Sequence, residues 1–127
     1  MEPELIERDG LRLVRLSSCS HPISSRQQAL ELLVGRGYSA VDGIVIDDGC
    51  LPPDFFRLKS GVAGELTQLF VNYGLRVVII GDFEKYPGDT LRAWMTECNR
   101  GTQIFFLPDF ESALARLVTL TTQGAPR

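Results

Sequence analysis

The stretch LRVVIIGD at residues 75–82 decides the fold of this chain. Four consecutive β-branched residues, Val77 to Ile80, predict a short strand that is apolar on both faces. The run GIVIDD at residues 43–48 repeats this pattern. Strands of this kind are typical of the middle of a parallel sheet that is buried on both sides. We therefore expect both segments to be central strands of an α/β sheet.

The N-terminal part of the chain predicts a hairpin followed by a helix. The pair Asp9-Gly10 separates two segments, 4–8 and 11–16, in which apolar and polar residues alternate. An Asp-Gly pair favours a two-residue turn because glycine tolerates a positive φ. Ser24 stands three residues before a glutamine, which is the spacing of a capping box, and is expected to begin the first helix.

Strand and helix then alternate to the end of the chain. Helices are predicted from about Ser60 to Asn72, from Asp89, and from Asp109 after a strand at 103–107. The order is β-β-α-β-α-β-α-β-α. It predicts right-handed crossovers and a mixed, largely parallel sheet of four to five strands with about four helices.

Length and composition fit one globular domain. The chain has 127 residues, of which 44% are hydrophobic and 23% charged. We expect residues 1–127 to form a single domain with an ordered core from about 4 to 121. A net charge of −3 without a Lys/Arg run argues against nucleic-acid binding. No apolar stretch approaches the ~20 residues that cross a bilayer, so no membrane partner is expected.

The cysteines and the N-terminus bear on the cellular compartment. Cys19, Cys50 and Cys98 are odd in number, far apart and without a CxxC motif. This pattern is typical of reduced thiols, and not of a disulfide framework or a zinc site. Glu2 and Glu4 stand where a secretory signal would carry basic residues. A cytoplasmic location is expected.

Several short motifs resemble an uncharacterised family of bacterial domains of unknown function. The motifs DFF, SGVAGEL, NYG, GDF, ECNRG and FF follow one another between about Ser25 and Leu117. That resemblance implies no particular activity. More distantly, the element order resembles that of STAS domains, the fold of sulfate transporters and anti-sigma-factor antagonists. This second resemblance implies a regulatory or protein-interaction domain.

The STAS resemblance is most specific at residues 56–62, FRLKSGV. In that family the turn from strand to helix has the form Phe-x-Asp-Ser-Ser-Gly-Leu. Ser60 matches the serine that can be phosphorylated in the anti-sigma antagonists, and Gly61 matches the glycine after it. The aspartate of the family falls on Leu58 and its first serine on Lys59. The resemblance implies a regulatory serine at Ser60, whereas the residues alone predict a helix cap worth ~1 kcal/mol.

The helix that begins near Ser60 carries the predicted partner-binding surface. Glu65, Gln68 and Asn72 follow the helical repeat as one polar stripe, which is either solvated or a recognition face. Two glycines each cost a helix ~1 kcal/mol relative to alanine. Close packing on the sheet or on another subunit, or an anion at the helix N-terminus, would explain them. The predicted surface comprises Ser60, Gly61, Gly64, Glu65, Gln68 and Asn72.

A second candidate site consists of carboxylates at the strand ends. Asp47 and Asp48 end one central strand, and Asp82 follows the other. The carboxyl ends of parallel strands meet at one edge, where α/β proteins often bind ligands. Three carboxylates there could hold a divalent cation, although aspartates are also common at the start of loops. His21, the lone histidine, has no recognisable nucleophile partner in the sequence.

The sequence therefore favours a non-catalytic regulatory or protein-interaction domain with an unidentified protein partner. No catalytic residue is identified, no cofactor is predicted, and the question of enzymatic activity stays open with the balance against it. One alternative is a small-molecule or metal-binding domain, including an enzyme, that uses the carboxylate edge. Another is a structural homodimer formed through the glycine-containing helix.

Overall fold

The computed structural model describes residues 3–17, 23, 25–33 and 41–124. Within them lie five strands and four α-helices, and the predicted order is confirmed. Short three-ten turns follow the two central strands. The elements are β1 Glu4–Arg8, β2 Leu11–Leu16, α1 Arg26–Leu33, β3 Gly43–Asp47, α2 Val62–Asn72, β4 Val77–Ile80, α3 Asp89–Asn99, β5 Ile104–Leu107 and α4 Phe110–Gly124.

The strands form one sheet in the order β1-β2-β3-β4-β5. Strands β1 and β2 are antiparallel, as the Asp9-Gly10 turn requires, and the other three pairings are parallel. In the central pair, Ile46 lies level with Ile79. All four residues of β4 are buried. The prediction that β3 and β4 are the central strands is therefore confirmed.

Two apolar layers cover the sheet. Side chains alternate along β3, so that Ile44 and Ile46 pack in the layer with α1, α2 and α3, while Val45 packs with α4. All three side chains are completely buried. Strands that are apolar on both faces thus bury both faces, and the loops after their carboxyl ends are left to form surfaces.

The bounds of two helices differ from the prediction. Helix α2 begins at Val62 and not at Ser60, because Gly61 adopts a left-handed φ of 82° that separates the helix from the three-ten turn before it. At α1, the Ser25 hydroxyl accepts a hydrogen bond from the Gln28 N–H at 3.1 Å. The predicted cap, Ser24, lies outside the described residues.

The expectation that the cysteines are reduced is wrong at Cys50, which is disulfide-bonded. Its bonding partner lies outside the described residues. Cys98 is a free thiol on α3. Burial raises the pKa of that thiol, and the charge of Glu97 adds to the effect. No helix in the described ranges has the length and apolarity needed to cross a bilayer.

Candidate functional site

The six residues of the predicted partner surface are all exposed, and the structure brings them together around one face of α2. The opposite face of the helix carries the buried side chains of Ala63, Leu66, Leu69 and Phe70. On the exposed face, the Gln68 amide donates a hydrogen bond to Oδ1 of Asn72 at 2.8 Å. The stripe is therefore a formed, polar surface adjoining the end of the β3–α2 connection.

The two glycines of this surface have different explanations. Gly61 has a positive φ, which glycine adopts without steric cost. Gly64 lies inside the helix, and a Cβ built on it would meet no atom within 4 Å. Close packing of Gly64 on the sheet, one of the predicted reasons for a glycine there, is therefore wrong. No contact within the described part of the chain requires a glycine at this position.

The end of α2 exposes apolar area that the sequence pattern did not reveal. Val71 and Tyr73 are 45% and 44% exposed, and they are two of the three exposed large hydrophobic residues within the described ranges. The helical repeat places Tyr73 on the buried face, and that prediction is wrong. The helix ends at Asn72, and Tyr73 is its C-terminal cap, so its side chain no longer follows the helical repeat.

The Ser60 hydroxyl is used twice within the chain. It donates a hydrogen bond to the backbone oxygen of Asp54 at 2.6 Å and accepts one from the Val62 N–H at 3.2 Å. Ser60 therefore satisfies the first N–H of α2, as a cap would, but from one position further out than predicted. The side chain is exposed at a shallow cavity of about 490 Å³ that Arg57 and Lys59 also line.

The three carboxylates of the predicted ligand edge do follow β3 and β4, but they do not converge. Asp47 faces Arg15, with Oδ1 3.4 Å from Nη2, on the side of the sheet that α4 covers. Asp48 starts the turn after β3 and pairs with Lys85. Asp82 accepts a hydrogen bond from the Glu84 N–H at 3.2 Å.

The cation site predicted from these three carboxylates is therefore wrong. Their spacing along the sequence placed them at one edge, but successive side chains leave a strand on opposite faces of the sheet. Across the described ranges, no group of three or more His, Cys, Asp or Glu side chains is arranged to hold a metal ion.

Asp48 is the centre of a compact polar cluster. Its Oδ2 accepts a hydrogen bond from the Tyr86 hydroxyl at 2.5 Å and lies 2.8 Å from Nζ of Lys85. Burial opposes the charged form of Asp48, but the hydrogen bonds from Lys85 and Tyr86 outweigh it and the pKa of Asp48 is lowered. Burial and the bond to Asp48 raise the pKa of Tyr86 to about 12. The cluster fixes the loop after β4 against the end of β3.

An aromatic groove lies beside this cluster. The rings of Phe56 and Tyr86 stack with centroids 3.9 Å apart and planes 10° apart. The groove has a volume of about 500 Å³ and also contacts Pro53, Leu58 and Leu91. Sequence reasoning missed it because its two walls are about 30 residues apart; the dipeptide Tyr86-Pro87 was its only local signal.

A larger and more open cavity of about 750 Å³ lies at the carboxyl ends of β4 and β5. Asp82, Glu84 and Arg92 line it with apolar residues. The Asn99 side chain, also in its wall, accepts a hydrogen bond from the Phe106 N–H at 2.7 Å and donates one to the Phe106 oxygen at 3.0 Å. Asn99 thus holds β5 in place.

The order of elements and the mixed sheet define a STAS-like α/β domain. The fold is similar to that of a serine-to-glutamate variant of RsbS from Moorella thermoacetica, a STAS domain, with a TM-score of 0.52 and 23% sequence identity. The similarity covers 92% of this chain and 97% of that chain. The chain itself belongs to a family described as a domain of unknown function (DUF4180), which matches residues 8–117. No curated protein is significantly similar to it.

Proposed function

We propose that this domain is a non-catalytic regulatory domain that binds a protein partner through the exposed face of α2. The observation that carries the proposal is the position of Gly64. A glycine inside a helix costs ~1 kcal/mol relative to alanine. Neither a positive φ nor a contact with the described part of the chain offsets that cost at Gly64. A partner that approaches the helix backbone closely at this point would offset it.

The surroundings of Gly64 support a protein partner over a small ligand. Gln68 lies one helical turn further on, and Val71 follows it with 45% of its area exposed. A convex helix face with amide, carboxylate and apolar groups suits a broad contact, whereas small ligands bind in concave sites. The STAS-like fold supports the same class of function.

We further propose that phosphorylation of Ser60 regulates this contact. Ser60 is exposed at the edge of the surface and matches the regulatory serine implied by the STAS resemblance. A phosphate would add a charge of about −2 and remove the hydroxyl proton. The hydrogen bond to the Asp54 oxygen would then be lost, and the turn before α2 would change.

The test uses one substitution on the surface and a matched one elsewhere. Gly64→Arg fills the open space above the helix with a good helix former, so the fold should persist. Ala115→Arg places the same side chain at an exposed position of α4, on the opposite side of the sheet. Proteins retained by the immobilised wild-type domain are identified by mass spectrometry and their affinities are then measured with both variants.

We expect the partner to bind the Ala115→Arg variant like the wild type and to lose binding to the Gly64→Arg variant. A partner that binds both variants equally well would overturn the proposal. Light scattering of the wild type measures its oligomeric state and so tests the homodimer alternative. A dimer that Gly64→Arg dissociates would identify the partner as a second copy of this chain.

A further inference from the structure

The aromatic groove has an apolar floor that is already in place without a ligand. Phe56 is only 6% exposed and is stacked on Tyr86, whose hydroxyl is fixed by Asp48 at 2.5 Å. The volume of about 500 Å³ leaves room for one or two apolar side chains. A preformed floor lowers the ordering cost of binding. The remaining lining of the floor consists of Pro53, Leu58, Pro87 and Leu91.

The rim of the groove is cationic. Arg57 and Lys59 line it, and no carboxylate among the described residues does. This sign is opposite to the net charge of −3 that the whole chain carries. Lys59 makes no ion pair with any residue in the described ranges. The pair between Arg57 and Asp54, at 3.3 Å, is exposed on both sides and contributes little, so Arg57 can exchange it for another carboxylate.

From this floor and rim we infer that the groove binds an acidic peptide segment of the protein partner. One apolar side chain of the segment packs on Phe56 and Tyr86, and its carboxylates pair with Arg57 and Lys59. The inference gives the chemistry of the partner and in that respect rests on the proposed function. It also connects the groove to Ser60, which shares a cavity wall with both cations. A phosphate on Ser60 would compete for these cations with the acidic segment.

The test is a selection of peptides from a random twelve-residue library displayed on phage. The library is selected on the immobilised wild-type domain, and binding of individual enriched peptides is measured by fluorescence anisotropy. Three variants are compared with the wild type. The rim variant, Arg57→Glu with Lys59→Glu, reverses the charge of the rim, and Leu58→Asp places a charge in the apolar lining. The control, Arg12→Glu, reverses an exposed charge on β2. Circular dichroism checks that each variant is folded.

We expect enriched peptides in which an apolar residue is flanked by Asp or Glu. Reversal of both rim charges should weaken them by roughly tenfold or more, with a smaller loss at higher salt, whereas Arg12→Glu should leave affinity unchanged. If Leu58→Asp does not fold, the rim variant alone decides the outcome. A selection that yields no acidic peptides, or peptides that bind the rim variant as tightly as the wild type, would overturn the inference.

Failure of this inference is distinguishable from failure of the proposed function. A partner that no longer binds the Gly64→Arg variant but still binds the rim variant would support the α2 surface and contradict the groove inference. Acidic peptides that bind the groove, together with a partner whose affinity Gly64→Arg leaves unchanged, would support the groove inference and contradict the α2 surface.

Discussion

Asp48 and Gly81 lie so close together that no larger residue fits at position 81. A Cβ on Gly81 would lie 2.6 Å from Cγ of Asp48. The carboxylate cannot easily move away, because Lys85 and Tyr86 hold it at 2.8 and 2.5 Å. The glycine that follows β4 is therefore required by the side chain that follows β3, and the pair brings together the loops that leave the two central strands.

Gly81→Ala should lower the free energy of unfolding by about 1–3 kcal/mol, the usual cost of overpacking. Gly49→Ala is the matched control, because Gly49 has a negative φ and open space at its Cβ. That control should change stability little. Urea denaturation monitored by circular dichroism measures both. Equal stability of the two variants would show that Asp48 moves aside freely.

The Asp48 cluster also predicts how stability depends on pH. The folded-state pKa of Asp48 is lowered from its ordinary value of 3.8, so the unfolded chain binds more protons as the pH falls. The stabilisation is complete above pH 3.8 and is lost as the pH falls through the folded-state pKa. Asp48→Asn should therefore cost stability at neutral pH, by about 1–3 kcal/mol.

The difference between wild type and Asp48→Asn should shrink below pH 3.8. Denaturation curves from pH 7 down to about pH 3 measure it, as far as the domain stays folded. Asp89→Asn, at an exposed position, is the control. A difference that stays constant down to the acid limit would contradict the assignment of the charged form.

Tyr86 gives the opposite dependence at high pH. Its folded-state pKa is raised from 10.0 to about 12, so the phenol contributes stability that is complete below pH 10 and is lost as the pH rises toward 12. Tyr86→Phe keeps the ring stacked on Phe56 but removes the titrating group. Thermal melts of wild type and variant between pH 8 and 11 should converge as the pH rises. Divergence would contradict the prediction.

The arrangement of the core followed from local patterns in the sequence. Residues 44–46 and 77–80 are apolar on both faces, and only a strand buried between two helical layers satisfies such a pattern. The exposed stripe of α2 also followed from the helical repeat, because periodicity assigns faces within one element. Both inferences needed no knowledge of distant contacts.

The details of the loops did not follow from the sequence. The position of Ser60 depends on a bond to the backbone of Asp54, and the groove depends on a ring, Tyr86, that stacks on Phe56. The tyrosine is held by Asp48, 38 residues away in the chain. Contacts of this range are set by how loops return over the sheet, and no repeat or motif encodes them.

The role of Ser60 as a switch can be tested by charge. Ser60→Asp keeps an oxygen that can accept from the Val62 N–H but adds a negative charge beside Lys59 and Arg57. It should weaken the partner contact severalfold, with a larger effect at low salt. Ser60→Ala should bind the partner nearly as well as the wild type. Thr119→Asp, on the exposed face of α4, controls for the change in net charge.

Isothermal titration calorimetry measures these affinities with the partner that binds the wild type but not the Gly64→Arg variant. A regulatory serine requires that Ser60→Asp differ from both Ser60→Ala and Thr119→Asp. If the aspartate and alanine variants lose the same affinity, Ser60 acts only by supporting the turn before α2.

The two glycines of the α2 surface should respond in opposite directions to alanine. Gly64→Ala adds a methyl group in open space inside the helix, so it should raise the free energy of unfolding by about 0.5–1 kcal/mol. Gly61→Ala forces alanine into a φ of 82°, so it should lower that free energy by about 1 kcal/mol or more. Urea denaturation of both variants shows directly whether each substitution raises or lowers the free energy of unfolding. If Gly64→Ala stabilises the free domain but weakens binding to the partner, the glycine at position 64 serves the partner and not the fold; if it lowers stability, Gly64 has a structural role in the chain and loses its value as support for the α2 surface.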